Sequence, residues 1–244
     1  MSSGSRLADV GELGLLAELA RRGLATRIED DAAQLGDGRV VTQDALVEGV
    51  HFRLDWISWR DLGYRAAAVN LSDLAASGAD PDGLVVTLAA PGDTELDDVL
   101  ELYAGLAEAG VPVIGGDTSA SDRLVLSVTA LGHSERVPGR GGARPGDTLV
   151  VTGPLGSAGA AFREQRYVRP PVRIGEGITL ARSAHAMLDI SDGLAVDAGH
   201  IAERSGCRVV VELDRVPLAE GATVDDLGFG EDFELLAAEA DFGA

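Results

Sequence analysis

Residues 187–198, MLDISDGLAVDA, restrict this chain more than any other stretch. A short apolar run ends on two acids and a hydroxyl, Asp189, Ser191 and Asp192, and Gly193 then opens an amphipathic segment. A strand that leads through a glycine turn into a helix is the elementary unit of a mixed α and β fold. Acids and a hydroxyl at such a bend suit Mg²⁺, which takes few protein oxygens and prefers phosphate oxygens for the rest. The pattern recurs along the chain. Asp30-Asp31, Thr42-Gln43-Asp44, Asp73, Gly115-Gly116-Asp117 and Gly230-Glu231-Asp232 each set acid beside glycine or at the edge of an apolar run. Together they predict a site with several Mg²⁺ ions and phosphate.

Periodicity extends the same architecture to both halves. Helical spacing covers residues 11–22, 59–78 and 94–109, with Gly78 and Pro81 as stop signals and Thr94 as a cap. Residues 39–46, 83–89, 111–114 and 124–131 read as strands. Residues 137–147 (VPGRGGARPGD) hold four Gly and two Pro, which places a boundary there between an N-terminal domain, 1–136, and a C-terminal domain, 137–244. Beyond it, strands are expected at 148–152, 187–190, 209–213 and from 235, and helices at 156–162 and 194–204. The expected class is α/β of the α+β type, in two domains.

Composition removes several functions. Forty acidic against twenty basic residues give a net charge of −20, the wrong sign for a nucleic-acid partner. The chain contains no Lys, so a lysine-dependent phosphate loop is excluded, and nucleotide chemistry must use metal, Arg and backbone amides. The single Cys207, read as a small apolar residue of a strand at 207–213, fits a reducing compartment. Residues 1–6 lack a signal-peptide core and no apolar run approaches a membrane span, so a cytoplasmic protein is expected. The alternating acids of a calcium-binding EF-hand are absent. An aromatic content of 4% is poor material for a glycosidase groove.

Each motif has a plain structural reading beside the chemical one. Asp30-Asp31 could serve a helix N-terminus. Thr42 and Asp44 point the same way on a strand, for metal or for a turn. Asp73 lies in a helical stretch among Ala and Leu, where an acid needs a partner, and this favours function. Gly115-Gly116-Asp117 follows a strand and suits phosphate and metal, or a tight turn. Gly153, Gly156 and Gly159 form either a phosphate turn opening a helix or a set of packing glycines. His51 has a structural alternative, and His133, His185 and His200 are read as structural.

The order of motifs resembles the thiamine-monophosphate kinase family, within the superfamily that includes aminoimidazole ribonucleotide synthetase. The resemblance rests on GELG at 11–14, EDDAA at 29–33, VTQDALVEGVHF at 41–52, AVNLSDLAASGADP at 68–81, GGDT at 115–118, VTGPLG at 151–156, LDISDGL at 188–194 and GEDFEL at 230–235. It implies ATP-dependent phosphorylation of thiamine monophosphate to thiamine diphosphate. It also implies a homodimer paired through the N-terminal domain. Carried over by position, Asp31, Thr42, Asp44, Asp73, Asp117, Asp189 and Asp192 hold Mg²⁺. Gly116, Asp117, Arg140, Ser191 and Tyr103 meet the nucleotide, while His51 and Glu231 contact the substrate. The acceptor is itself a phosphate oxygen, so in-line transfer requires no side-chain acid or base.

The chain departs from the family pattern at Gln43, where a second hydroxyl is usual, at Glu29, where Gly is usual, and at Phe229, which interrupts a Gly-Gly. The family is expected to continue beyond Ala244. Only Phe229 and Phe233 flank Glu231, so aromatic cover for the substrate rings is expected from that continuation. Selenophosphate synthesis, within the same superfamily, would need a reactive Cys in the N-terminal half, and Cys207 lies in the other. Another synthetase of the superfamily and a non-catalytic nucleotide- and metal-binding homologue remain the alternatives.

Overall fold

A computed structural model describes residues 6–26 and 30–240, so Glu29 lies outside the described residues. Helix α1 (Leu7–Arg21) is kinked at Gly11, where φ is 63°, and buries none of its residues. Strands β1 (Ala33–Gly36) and β2 (Arg39–Val47) form an antiparallel hairpin. Helix α2 (Trp59–Ala76) starts where the Ser58 hydroxyl oxygen accepts the Asp61 N–H, an N-cap that satisfies one of the helix's free donors. Strand β3 (Asp80–Ala90) then crosses through α3 (Leu96–Glu108) to a parallel partner, β4 (Val113–Ala120). Strand β5 (Val125–His133) inserts antiparallel between β2 and β3, giving the order β1-β2-β5-β3-β4.

Period-two alternation fixes which face of this sheet is covered. Val40 and Leu46 of β2, Leu84, Val86 and Leu88 of β3, and Leu126 and Val128 of β5 share one core with Leu62 and Leu71 of α2. Thr42 is buried on the same face, whereas Gln43 projects from the other, where it bonds the Ser127 and Thr129 hydroxyls. Two expectations need correction. The residue capping α3 is Glu95 rather than Thr94. Gly115-Gly116-Asp117 does not follow a strand but lies inside β4, at the open edge of the sheet. Gly116 allows that pairing, since a Cβ there would overlap the Val86 carbonyl oxygen.

The C-terminal half contains β6 (Thr148–Val151), α4 (Ser157–Arg163), α5 (Ile174–Leu180), β7 (Ala186–Asp189), α6 (Leu194–Ser205) and β8 (Leu235–Glu239). Its three strands form an antiparallel sheet in the order β6-β8-β7. Residues 209–213 do not pair as a strand. Val209 and Val211 lean on the core around Leu188, Ile190 and Leu236, and a 3₁₀ turn starts at Leu213. Alternating burial of an extended segment on one side produced the strand-like pattern without any ladder.

Helix α2 joins the two halves. Its Ala75 and Ala76 form a buried cluster with Ala181, Ala184, Met187, Leu235 and Ala237. Small residues permit the close crossing, because a Cβ at Gly177 would overlap the Ala75 carbonyl and one at Gly78 would overlap Ala181. Filling either position costs about 1–3 kcal/mol in a packed core. The end of β7 is thereby held over the last turns of α2. No helix among the described residues is long and apolar enough to cross a membrane.

Candidate active site

The segment Asn70–Asp73 of α2 meets both sheets. Asn70 is fully buried, donates to the Ala66 carbonyl and accepts the Asp44 N–H at 3.0 Å, which ties β2 to the helix. Two residues on, the Ser72 hydroxyl donates to Asp189 at the end of β7 at 2.5 Å. Asp73 accepts the Thr42 hydroxyl. The acid held among Ala and Leu therefore has its partner in β2, and the neighbouring Ser72 has one at the end of β7.

Asp31, Asp73 and Asp189 offer carboxylate oxygens that all lie within 4.8 Å of one another. Burial pushes Asp73 well above the usual carboxylate range, reinforced by the charges of Asp189, Asp44 and Asp31. Burial does the same to Asp189, with Asp31 next, against the Ser72 hydrogen bond. Asp31 is raised by burial although Arg140 bonds its Oδ1 at 2.6 and 3.0 Å. Asp44 is also raised by burial, with His51 opposing. Such carboxylates cannot all ionise together unless a cation sits among them. Hard carboxylate oxygens with a hydroxyl beside them fit Mg²⁺.

A second group lies one turn further on. Asp192, Asp197 and His200 offer ligand atoms within 4.8 Å of one another. Asp197 is buried and accepts the Asp192 N–H at 3.1 Å, so it holds the turn that presents Ser191 and Asp192. Burial raises its carboxyl to about 7. His200 was expected to be structural, and its i, i+3 spacing from Asp197 on α6 was the available signal of this grouping.

Beside these acids lies a cleft of about 410 Å³ lined by Val50, His51, Phe162, Tyr167, Ser191, Asp192, Phe229 and Glu231. His51 Nδ1 accepts the Val47 N–H at 3.0 Å, so a neutral ring carries its proton on Nε2. Glu231 reaches the cleft from a backbone at φ 60°, and its N–H donates to the Ser191 carbonyl at 2.8 Å. Ring centroids of Phe162 and Phe229 are 4.8 Å apart, and those of Trp56 and Phe162 5.4 Å. The sequence placed only Phe229 and Phe233 beside Glu231, and the fold adds Phe162 and Tyr167 to the same cleft lining, with Trp56 packed on Phe162. Phe162, Tyr167 and Trp56 are far from Glu231 in sequence, and only folding gathers them there.

The expected residues fall into separate places. Asp31, Asp73 and Asp189 converge, with Thr42 bonded to Asp73 and Asp44 close enough to raise it. Ser191, Asp192, His51 and Glu231 share the cleft. Arg140 is engaged with Asp31. Tyr103 packs on the N-terminal core, and Gly116 and Asp117 lie on the exposed β4, so within one chain these three do not line the cleft. The turn from Gly153 to Gly159 is a packing device. Asp232 caps α4 by accepting the Gly156 N–H at 2.8 Å, a side chain at Gly153 would collide with Glu234, and one at Gly159 would press tightly on Asp226.

Residues 29–134 match the AIR synthase related protein N-terminal domain, and residues 144–241 match the corresponding C-terminal domain. Fold and site thus define a two-domain AIR synthase related protein. The thiamine-monophosphate kinase of Aquifex aeolicus is 35% identical over 238 residues, covering 88% of this chain and 77% of its own length. That of Mycobacterium tuberculosis H37Rv is 36% identical over 270 residues, covering 95% and 81%. The solved structure of AaThiL complexed with AMPPCP and TMP superposes with a TM-score of 0.91 at 33% identity, over 98% of this chain and 88% of that one. The chain belongs to the thiamine-monophosphate kinase family.

Proposed function

We propose that this protein transfers the γ-phosphoryl group of ATP to the phosphate of thiamine monophosphate, giving thiamine diphosphate and ADP. One observation carries the reading: the turn Ser191-Asp192 joins a largely shielded trio of acids, Asp189 buried among them, to a cleft lined by aromatic rings, a His and a Glu. Acids of the first kind serve phosphates through metal, and a cleft of the second kind serves a cationic ring system. The relative AaThiL was solved with AMPPCP and TMP, a nucleotide analogue and a second ligand together.

Asp31, Asp73 and Asp189, with Thr42 and Asp44, would hold Mg²⁺, and Asp192 would do so at the cleft side. Bound there, Mg²⁺ supplies neutralisation of the charge between two polyanions. Ser191 and Arg140 meet nucleotide phosphates, and His51 and Glu231 orient the thiamine rings. The acceptor oxygen is already ionised at neutral pH, so the protein's contribution is alignment and exclusion of water rather than proton transfer. Formation of thiamine diphosphate from thiamine monophosphate, ATP and Mg²⁺ tests the reading, and no product at micromolar enzyme refutes it. Incubation with γ-labelled ATP alone should leave the protein unlabelled, whereas stoichiometric label would refute direct transfer.

A homodimer through the N-terminal domain belongs to the same proposal. Strand β4 is an open edge with Ile114 and every residue to Ala120 exposed, and open edges call for cover. Gly116 and Asp117 lie on this strand, outside the cleft of their own chain. Sedimentation at micromolar concentration should give the mass of two chains, and a monomer would refute the pairing. The compartment proposed is the cytoplasm, which suits the free Cys207.

A further inference from the structure

Arg65 lies in α2 and is 3% exposed. Among the described residues its ion-pair partner is Glu231, with Nη2 to Oε1 at 2.5 Å. The guanidinium stacks over the Tyr167 ring, 5.1 Å from its centroid, and its buried Nε–H has no acceptor among the described residues. An arginine buried for stability is expected to satisfy its fork of donors, since a buried N–H without an acceptor forfeits its hydration uncompensated. A buried ion pair is in any case weak support for stability compared with apolar packing. The placement makes sense through Glu231 instead. That residue holds a positive φ, uncommon for a residue with a side chain, and its carboxylate is fixed by a guanidinium that cannot lose its charge. With Oε1 engaged by Arg65, Oε2 is left for a donor in the cleft.

We infer that Arg65 is a positioning residue for substrate selection. It locks Glu231 as one oriented carboxylate beside Phe162, Phe229 and Tyr167, so the cleft takes a cationic ligand whose aminopyrimidine ring offers N–H donors, in a single pose. The inference deepens the reading of this cleft as the thiamine monophosphate site and rests on it. Arg65 acts on recognition of the ring, at a distance from the phosphate-binding acids. Its loss should therefore divide the kinetic constants of the two substrates.

The test is a double-mutant cycle on the whole chain with Arg65→Met, Glu231→Gln and the pair, plus Arg65→Lys. Calorimetry gives the Kd for thiamine monophosphate and for ATP with Mg²⁺, and steady-state assays give KM and kcat. Arg65→Met should weaken thiamine monophosphate by about tenfold in Kd and KM, with ATP within about twofold. Arg65→Lys should fall between, because it keeps the charge and loses the fork. Added to Glu231→Gln, Arg65→Met should change affinity by less than about threefold. Additive effects of the two substitutions, or equal weakening of both substrates, would overturn the inference. Should Arg65→Met not fold, Arg65→Lys with Glu231→Gln supplies the same cycle. Wild-type protein that binds thiamine monophosphate without turnover would refute the kinase reading while the calorimetric cycle still decides the role of Arg65. Wild-type protein that binds none would overturn both.

Discussion

Asp73 stands inside α2 with its carboxylate among those of Asp31 and Asp189, all within 4.8 Å. At such a separation two ionised carboxylates repel by about 3–4 kcal/mol in a medium of effective dielectric ~20. Proton uptake relieves part of this, in line with the strongly raised Asp73. The net stabilisation expected from Asp73→Asn in metal-free protein at pH 8 is therefore about 1–2 kcal/mol. Asn keeps the side-chain volume and an oxygen that accepts the Thr42 hydroxyl, so little packing is lost. For a chain of this length the melting temperature should rise by about 2–8 °C in EDTA. The same change removes a charged ligand from the site and should lower kcat by about 10²–10³-fold. Calorimetric unfolding with EDTA and with Mg²⁺, alongside steady-state turnover, measures both signs. A variant less stable than wild type in EDTA at pH 8, or one with wild-type turnover, would refute the reasoning.

The raised carboxyls also set a pH dependence. Asp31, Asp44, Asp73, Asp189 and Asp197 keep protons in the folded state that the unfolded chain has lost. Their contribution is full below about pH 4 and is lost as pH rises through the folded values, near 7 for Asp197. Metal-free protein should thus melt lower at pH 7.5 than at pH 5, with Mg²⁺ restoring more at the higher pH, and a rise over that interval in EDTA would contradict the assignment. Phe162→Ala should raise KM for thiamine monophosphate by about five- to tenfold through loss of ring contact and leave KM for ATP unchanged. An unchanged thiamine monophosphate KM would remove Phe162 from the site. Gly116→Ala should lower stability by about 2–3 kcal/mol, because its Cβ would overlap the Val86 carbonyl. Thermal unfolding checks this, and a wild-type melting temperature would show that β4 gives way without cost.

Local patterning determined much of this protein. Alternation in β2 placed Thr42 and Asp44 on one face, and the acid in the Ala-rich stretch of α2 announced a partner before any was visible. Both signals work because strand and helix periods are properties of adjacent residues. The strand-turn-helix at residues 187–198 was legible for the same reason. Alternation alone misjudged residues 209–213, since one-sided burial of an extended segment looks the same with or without a partner strand. It also ended β4 too early, because two glycines suggest a turn until the close approach of Val86 explains one of them. Tertiary structure alone brought Asp31, Asp73 and Asp189 together and gathered Trp56, Phe162, Tyr167 and Phe229 beside Glu231. It alone paired Arg65 with Glu231 across the two halves. Those meetings depend on how α2 packs against both sheets, a long-range balance of burial and contact that no local spacing encodes.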